Sequence, residues 1–357
     1  MTIANRRVFD KLRFYSESHK SDNVVRYIET NESDKQALRE TKFYSHPSHV
    51  FSDSTAIYFA AFDSNIYVIA KGFFNKAASD ELSLTEANAG LFTAIVSELP
   101  INVASRTRDE QLTENIFFPV DETEVGPPKV SYKLEDIERF FEPFQIYSVA
   151  SESLLLHDDF ADRIALHFLV ATKAATHIAF RGATTERFTE ASITPATNYP
   201  HRLLLRAYLA HRWDQVFLDI YRCIEQLFPL SRVRRLMVGM NQKHAARVPP
   251  QTPNSLRLHE LAELTESTLG WRAKEDDAIS ELVESLHPDL ILEICCYFDI
   301  DEKHDRAAYK VAEQLYKLRN RAVHFRPIHS NEPELDSDKW ECITVWLLRA
   351  TCSLYEG

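Results

Sequence analysis

The chain has 357 residues, 45% of them hydrophobic, and a formal net charge of −12. The length predicts two domains with packed cores, and the acidic balance excludes blanket attraction to nucleic acid or an anionic membrane, leaving local basic patches as the route to such partners. Only 7 glycines, with no GxGxxG or Walker-type lysine loop, argue against a nucleotide-hydrolysing P-loop, while 22 phenylalanines and 14 tyrosines promise aromatic cores.

The start, MTIANRRVFDKLRFYSESHK, lacks an apolar signal core, and no uncharged apolar run long enough to span a membrane follows. A soluble, cytoplasmic chain without membrane contact is therefore expected. HPSH places His46 and His49 at metal-like spacing, but Pro47 separates them and no cysteine or carboxylate pair lies close by. A loop with exposed histidines is expected there; neither a metal nor a cofactor is expected. STAIYFAAF and NIYVIAKGFF flank Asp63-Ser64-Asn65, which predicts a β-hairpin. SLTEANAGLFTAIVSEL predicts a helix that opens on a Ser or Thr cap with Glu86 and ends before Pro100. Short strands are expected around VVRYIE, NIFFPV and FQIYSVA, with DETEVGPPKV as an acidic linker or loop.

From Asp159 the pattern changes: Phe160, Ile164, Phe168, Ala171, Ala175 and Ile178 fall on one helical face. RGATTERFTEASITPATNYP is rich in Thr, Ser, Gly and Pro and predicts a domain boundary near residue 195. The expected fold class is α+β, a mixed α/β domain over residues 1–195 followed by an all-α bundle over 196–357. In the second part HRLLLRAYLAHRWDQVFLDIYRCIEQLF reads as one long amphipathic element ended by Pro229. NSLRLHELAELTESTLG, EDDAISELVESLH, DLILEICCYF, DRAAYKVAEQLYKLRNRAVHF and SDKWECITVWLLRATCSLY follow as helical segments. Cys223, Cys295, Cys296, Cys342 and Cys352 form no CxxC pair and read as small core residues in a reducing compartment.

The segment LYKLRNRAVHFRP, residues 315–327, concentrates polar chemistry at a helix end. Val311, Leu315, Leu318, Ala322 and Phe325 make the stripe that faces the bundle. Glu313, Lys317, Asn320 and His324 make a second stripe, on which Asn320 can orient the His324 ring from one turn away. Arg319 and His324 are five residues apart, about 140° around the helix, so they share no stripe and converge on one substrate only through the long arginine stem or with a second subunit. A helix C-terminus also favours cations through its dipole, which is the simpler reading of the same residues.

Arg319-Asn320-Arg321-Ala322-Val323-His324 resembles the Arg-Asn-x-x-x-His signature of HEPN domains, a helical-bundle superfamily of prokaryotic toxins and antiviral effectors. The resemblance includes the preceding YKLRN, the aromatic-proline stop and Glu225 in the upstream YRCIEQLF, and it covers roughly residues 196–357. It implies metal-independent RNA cleavage through attack of the 2′-hydroxyl on the adjacent phosphate, leaving a 2′,3′-cyclic phosphate and a 5′-hydroxyl. His324 suits proton transfer, Arg319 suits the growing phosphate charge, and Asn320 suits positioning. The resemblance further implies a homodimer through the helical domain, in which two copies of the motif face one another. The bare Arg-to-His spacing recurs at Arg206 and His211, inside what reads as a core-packing helix, and carries no catalytic weight there.

For the RNA itself, Arg321 and Arg326 lie beside the motif, and LSRVRRLMVGMNQKHAARVPP supplies Arg232, Arg234, Arg235, Lys243 and Arg247 without an acidic residue. The same segment equally suits a solvated loop. Three alternatives stay open: a non-catalytic module of the same family that binds RNA or dimerises, a structural bundle with a coincidental polar helix end, and a metal nuclease at Asp276, Asp277, Asp158 or Asp159. The last is disfavoured because acidic pairs are common at helix starts. The N-terminal domain is expected to sense, recognise or regulate; an antitoxin or trigger partner is not specified by the sequence.

Overall fold

The computed structural model describes residues 2–16, 24–44, 49–118, 128–157, 160–174, 176–196, 198–229, 275–301, 306–323 and 335–356. Its architecture is α+β: among the described residues the strands are confined to the N-terminal part and helices occur throughout. Two compact units divide at Leu156/His157, with residues 171–174 grouping with the first unit.

In the first unit, β1 (Val25–Ile28) pairs in parallel with β7 (Lys129–Tyr132). The larger antiparallel sheet runs β2 (Lys42–Phe43), β4 (Ala56–Phe62), β5 (Asn65–Lys71), β8 (Phe144–Val149) and β6 (Leu82–Thr85), and β3 (His49–Val50) also pairs with β4. The β4–β5 hairpin turns at Asp63 and Ser64, whose φ values of 48° and 62° supply the two left-handed residues that a tight hairpin needs. Helices α1 (Thr2–Tyr15), α2 (Glu32–Glu40), α3 (Ala89–Glu98), α4 (Asp109–Asn115) and α5 (Leu134–Glu138) complete the unit. Of the strand aromatics, Tyr58, Phe59, Tyr132 and Tyr147 are buried, and beside the sheet Phe92 of α3 packs edge-on against Phe141. Glycine is required at position 90, where a Cβ would lie 1.8 Å from the Asp34 carbonyl oxygen as α3 passes α2.

Helix α3 starts at Asn88, whose side chain accepts from the Leu91 amide, and the upstream Ser83 and Thr85 belong to β6. NIFFPV supplies the end of α4 and no strand among its described residues. Within the acidic linker only Pro128, Lys129 and Val130 are described; Pro128 accepts the Val25 amide at 2.8 Å, and Lys129 and Val130 begin β7. His49 lies half-buried in β3, its ring 6.3 Å from Phe59, so it serves packing; His46 lies outside the described residues.

The second unit contains α6 (Phe160–Ala171, of which all but Ala171 group here), α7 (Gly182–Ser192), α8 (His201–Tyr208), α9 (Trp213–Glu225), α10 (Glu275–Glu284), α11 (Pro288–Tyr297), α12 (Ala307–Val323) and α13 (Ser337–Glu356). Ile164 and Phe168 are fully buried, as their helical spacing predicts, but α6 ends at Ala171 and Ile178 lies beyond it. NSLRLHELAELTESTLG lies outside the described residues. Trp346 of α13 is fully buried and donates from Nε1 to the Leu290 carbonyl of α11 at 2.7 Å. The long element ended by Pro229 is in fact two helices. The chain leaves helical geometry between Leu209 and Arg212, the Arg212 backbone is extended, and Gln215 turns back to accept the His211 amide.

The boundary near residue 195 is set too late. Thr- and Ser-rich residues 182–192 form α7, where Thr185 and Thr189 bond carbonyls one turn back. Glu341 of α13, itself buried, accepts from the Arg181 amide at 2.6 Å and the Thr184 hydroxyl at 2.7 Å, capping the start of α7. Phe188 is buried and packs edge-on against Tyr208 of α8. A fragment starting at residue 157 is expected to unfold cooperatively in urea. One starting at residue 196, which lacks α6 and α7 with the buried Ile164, Phe168 and Phe188, a buried Phe alone being worth about 3–5 kcal/mol, is expected to show no cooperative transition.

Candidate functional site

Helix α12 presents its apolar stripe to α9, α10 and α11. Val311 and Leu315 are fully buried, whereas Leu318 and Ala322 are half-buried, so the core contact loosens toward the helix end. Arg319 follows Leu315 by one turn and emerges at the edge of this contact. Its Nε lies 3.4 Å from Oε1 of Glu225, the last residue of α9, with side chains 23% and 29% exposed. Its Nη1 donates to Oδ1 of Asn320 at 3.1 Å. Two contacts from two helices thus fix the plane and direction of the guanidinium fork.

This geometry bears on the roles expected at the helix end. Asn320 spends its carbonyl oxygen on Arg319 and keeps its amide nitrogen as a group that can only donate. Glu313 and Lys317, the first two members of the polar stripe, pair with each other at 2.8 Å. The Lys317 hydrogen bond, followed by its charge, holds the Glu313 carboxyl below its usual range. Arg321 is half-buried and lies in the last turn, where a cation complements the helix dipole. His324, Arg326, Arg232, Arg234, Arg235, Lys243 and Arg247 lie outside the described residues. The structure therefore brings Arg319, Asn320 and Glu225 together.

In the Arg206–His211 recurrence, Arg206 lies on the open face of α8, a helix that packs into the core through Leu204, Leu205 and Tyr208, and His211 lies beyond the end of that helix. Both residues are exposed; the His211 ring stacks on His177 with centroids 3.6 Å apart, and Arg206 pairs with Asp219. Among the described residues no group of three or more His, Cys, Asp or Glu side chains is arranged to hold a metal ion. Asp277 is an exposed residue near the start of α10, while Asp158 and Asp159 lie outside the described residues. Of the cysteines, Cys223 and Cys295 are buried as expected, but Cys296 is exposed. Cys352 lies 3.1 Å from the Tyr199 hydroxyl, and burial pushes its thiol up, away from a reactive thiolate. No described helix is long and apolar enough to cross a membrane.

An oriented guanidinium beside an amide donor is suited to an anionic oxygen, because the fork binds two phosphate oxygens and the amide a third. Compared with family models, curated proteins and solved structures, the chain has no match. Glu225 entered the sequence reading only as an acidic residue upstream, and its contact with Arg319 depends on the packing of α9 against α12. A double-mutant cycle on Glu225→Ala and Arg319→Ala, read by urea unfolding, is expected to give a coupling of about 0.5–1 kcal/mol, the size of a partly exposed pair.

Proposed function

We propose that this chain is a HEPN-type endoribonuclease that cleaves RNA without a metal ion. The observation that carries the reading is the Arg319 fork, held by Glu225 from a neighbouring helix with Asn320 beside it, at the end of the helix whose sequence continues to His324. In the proposed reaction the 2′-oxygen attacks phosphorus, the bond from phosphorus to the 5′-oxygen breaks, and the departing 5′-oxygen takes a proton. Arg319 binds the non-bridging oxygens as their charge grows. Asn320 donates to the phosphate or the ribose. His324 moves a proton, an imidazole being suited to both directions near neutral pH.

One imidazole does not serve as acid and base in the same instant, so the working form is proposed to be a homodimer in which a second copy supplies the second histidine. The setting proposed is the cytoplasm, in antiviral defence or toxin-mediated growth arrest, with the N-terminal unit sensing a trigger or selecting the RNA. That unit's role rests on analogy with multidomain toxins.

A second reading has its own support. An arginine already paired with a carboxylate is also what a purely structural contact looks like, which suits a non-catalytic module that binds RNA or dimerises. Rates separate the two. Arg319→Ala is expected to lower RNA cleavage by about 100-fold or more, and His324→Ala by about 100- to 10,000-fold, with folded dimers confirmed. Equal cleavage by all three proteins would reject the assignment, and RNA binding without cleavage by the wild type would favour the binding module.

A further inference from the structure

The α8–α9 hairpin carries a charge pattern opposite to that of the chain. Between residues 198 and 226 every exposed charged side chain is an arginine, namely Arg202, Arg206, Arg212 and Arg222, in a protein of net charge −12. Arg212 is neutralised locally by Asp214. Arg206 and Arg222 are arranged differently. Both converge on Oδ1 of Asp219, Arg206 at 3.2 Å and Arg222 at 2.7 Å, and the carboxylate is only 8% exposed while the arginine side chains are 56% and 44% exposed.

A carboxylate so buried needs a cation to offset its desolvation, and one arginine suffices for that. The second leaves the cluster with a net positive charge at the surface. The shared anchor also holds two guanidinium groups side by side before any ligand arrives, which removes part of the ordering cost of binding. Two adjacent forks of this kind match the oxygens of a phosphodiester. Arg222 precedes Glu225 by three residues and so lies on nearly the same face of α9, one turn from the carboxylate that holds Arg319. Arg202 extends the positive face one turn back along α8.

We propose that Arg206 and Arg222, gathered on Asp219, form a phosphodiester clamp that holds single-stranded RNA along α9 and leads it to Arg319. The identity of the ligand as RNA rests on the ribonuclease reading; the clamp itself recognises phosphate and is indifferent to the 2′ position.

The test uses the full chain and a fluorescent 2′-O-methyl oligoribonucleotide, which binds but lacks the attacking hydroxyl, with affinity measured by anisotropy across a salt series. Arg206→Gln/Arg222→Gln is expected to weaken binding at low salt at least about tenfold and to reduce the slope of log affinity against log salt by about 1.4, two contacts at ~0.7 each. That double variant leaves Asp219 unpaired and is checked by thermal unfolding. Arg202→Glu, which breaks no contact to Asp219, provides the independent arm and is expected to weaken binding with an unchanged unfolding midpoint. A 2′-deoxy oligonucleotide is expected to lose affinity to the same extent in each variant. Wild-type affinity and slope in both variants would overturn the clamp, while continued cleavage of unmodified RNA by those proteins would leave the ribonuclease reading standing. Failure of the wild type to bind any oligonucleotide would overturn the clamp, and absence of cleavage in the same preparation would remove the ribonuclease reading with it.

Discussion

The contact between Glu225 and Arg319 is the constraint on which the functional account depends. It joins the end of α9 to the end of α12, in a region where the apolar packing of α12 is already thinning from fully buried Leu315 to half-buried Ala322. As a source of stability a partly exposed pair of this kind is worth little, about a kcal/mol or less. As a source of geometry it is worth more. An arginine at a helix end has many rotamers, and a phosphate-binding role needs one of them. Glu225 at Nε and Asn320 at Nη1 select the direction of the fork from two sides.

The same principle of carboxylates directing arginines recurs through the helical unit. Asp219 gathers Arg206 and Arg222 on the face of the α8–α9 hairpin, and Glu341 holds the Arg181 amide and guanidinium at the start of α7. These contacts differ in burial and therefore in consequence. Glu341 is buried and fastens α7 into the unit, so its loss is structural. Asp219 is as buried as Glu341, so its loss also costs stability, whereas Glu225 is 29% exposed and its loss would first be felt by a ligand. A chain of net charge −12 can in this way present positive charge locally, on helices whose exposed residues are chosen separately from the overall composition.

Local chemistry made much of the fold readable. The β4–β5 hairpin followed from two apolar runs around Asp63-Ser64, and α12 from its period of three and four, because both depend on residues close in sequence. Where distant residues decided the outcome, the reading failed. Ser83 and Thr85 resemble helix caps but pair in β6 against β8, and the Thr-rich α7 resembles a linker until Glu341 from the last helix caps it. No glycine or proline marks the break between α8 and α9, so hydrophobic period alone ran the two together. The candidate site divides in the same way. Arg319 and Asn320 stood out by spacing and residue type, and the Asp219–Arg222 pair has a helical signature at three residues, but the approach of Arg206 to Asp219 and of Glu225 to Arg319 required helices to pack.

The end of α12 is proposed to promote attack by a ribose hydroxyl on its own phosphate. The most direct measurement is identification of product ends after the purified full-length protein has acted on RNA in excess chelator. The account predicts 2′,3′-cyclic phosphate and 5′-hydroxyl ends, formed undiminished without divalent metal. Ends bearing 3′-hydroxyl and 5′-phosphate, or cleavage abolished by the chelator, would contradict it.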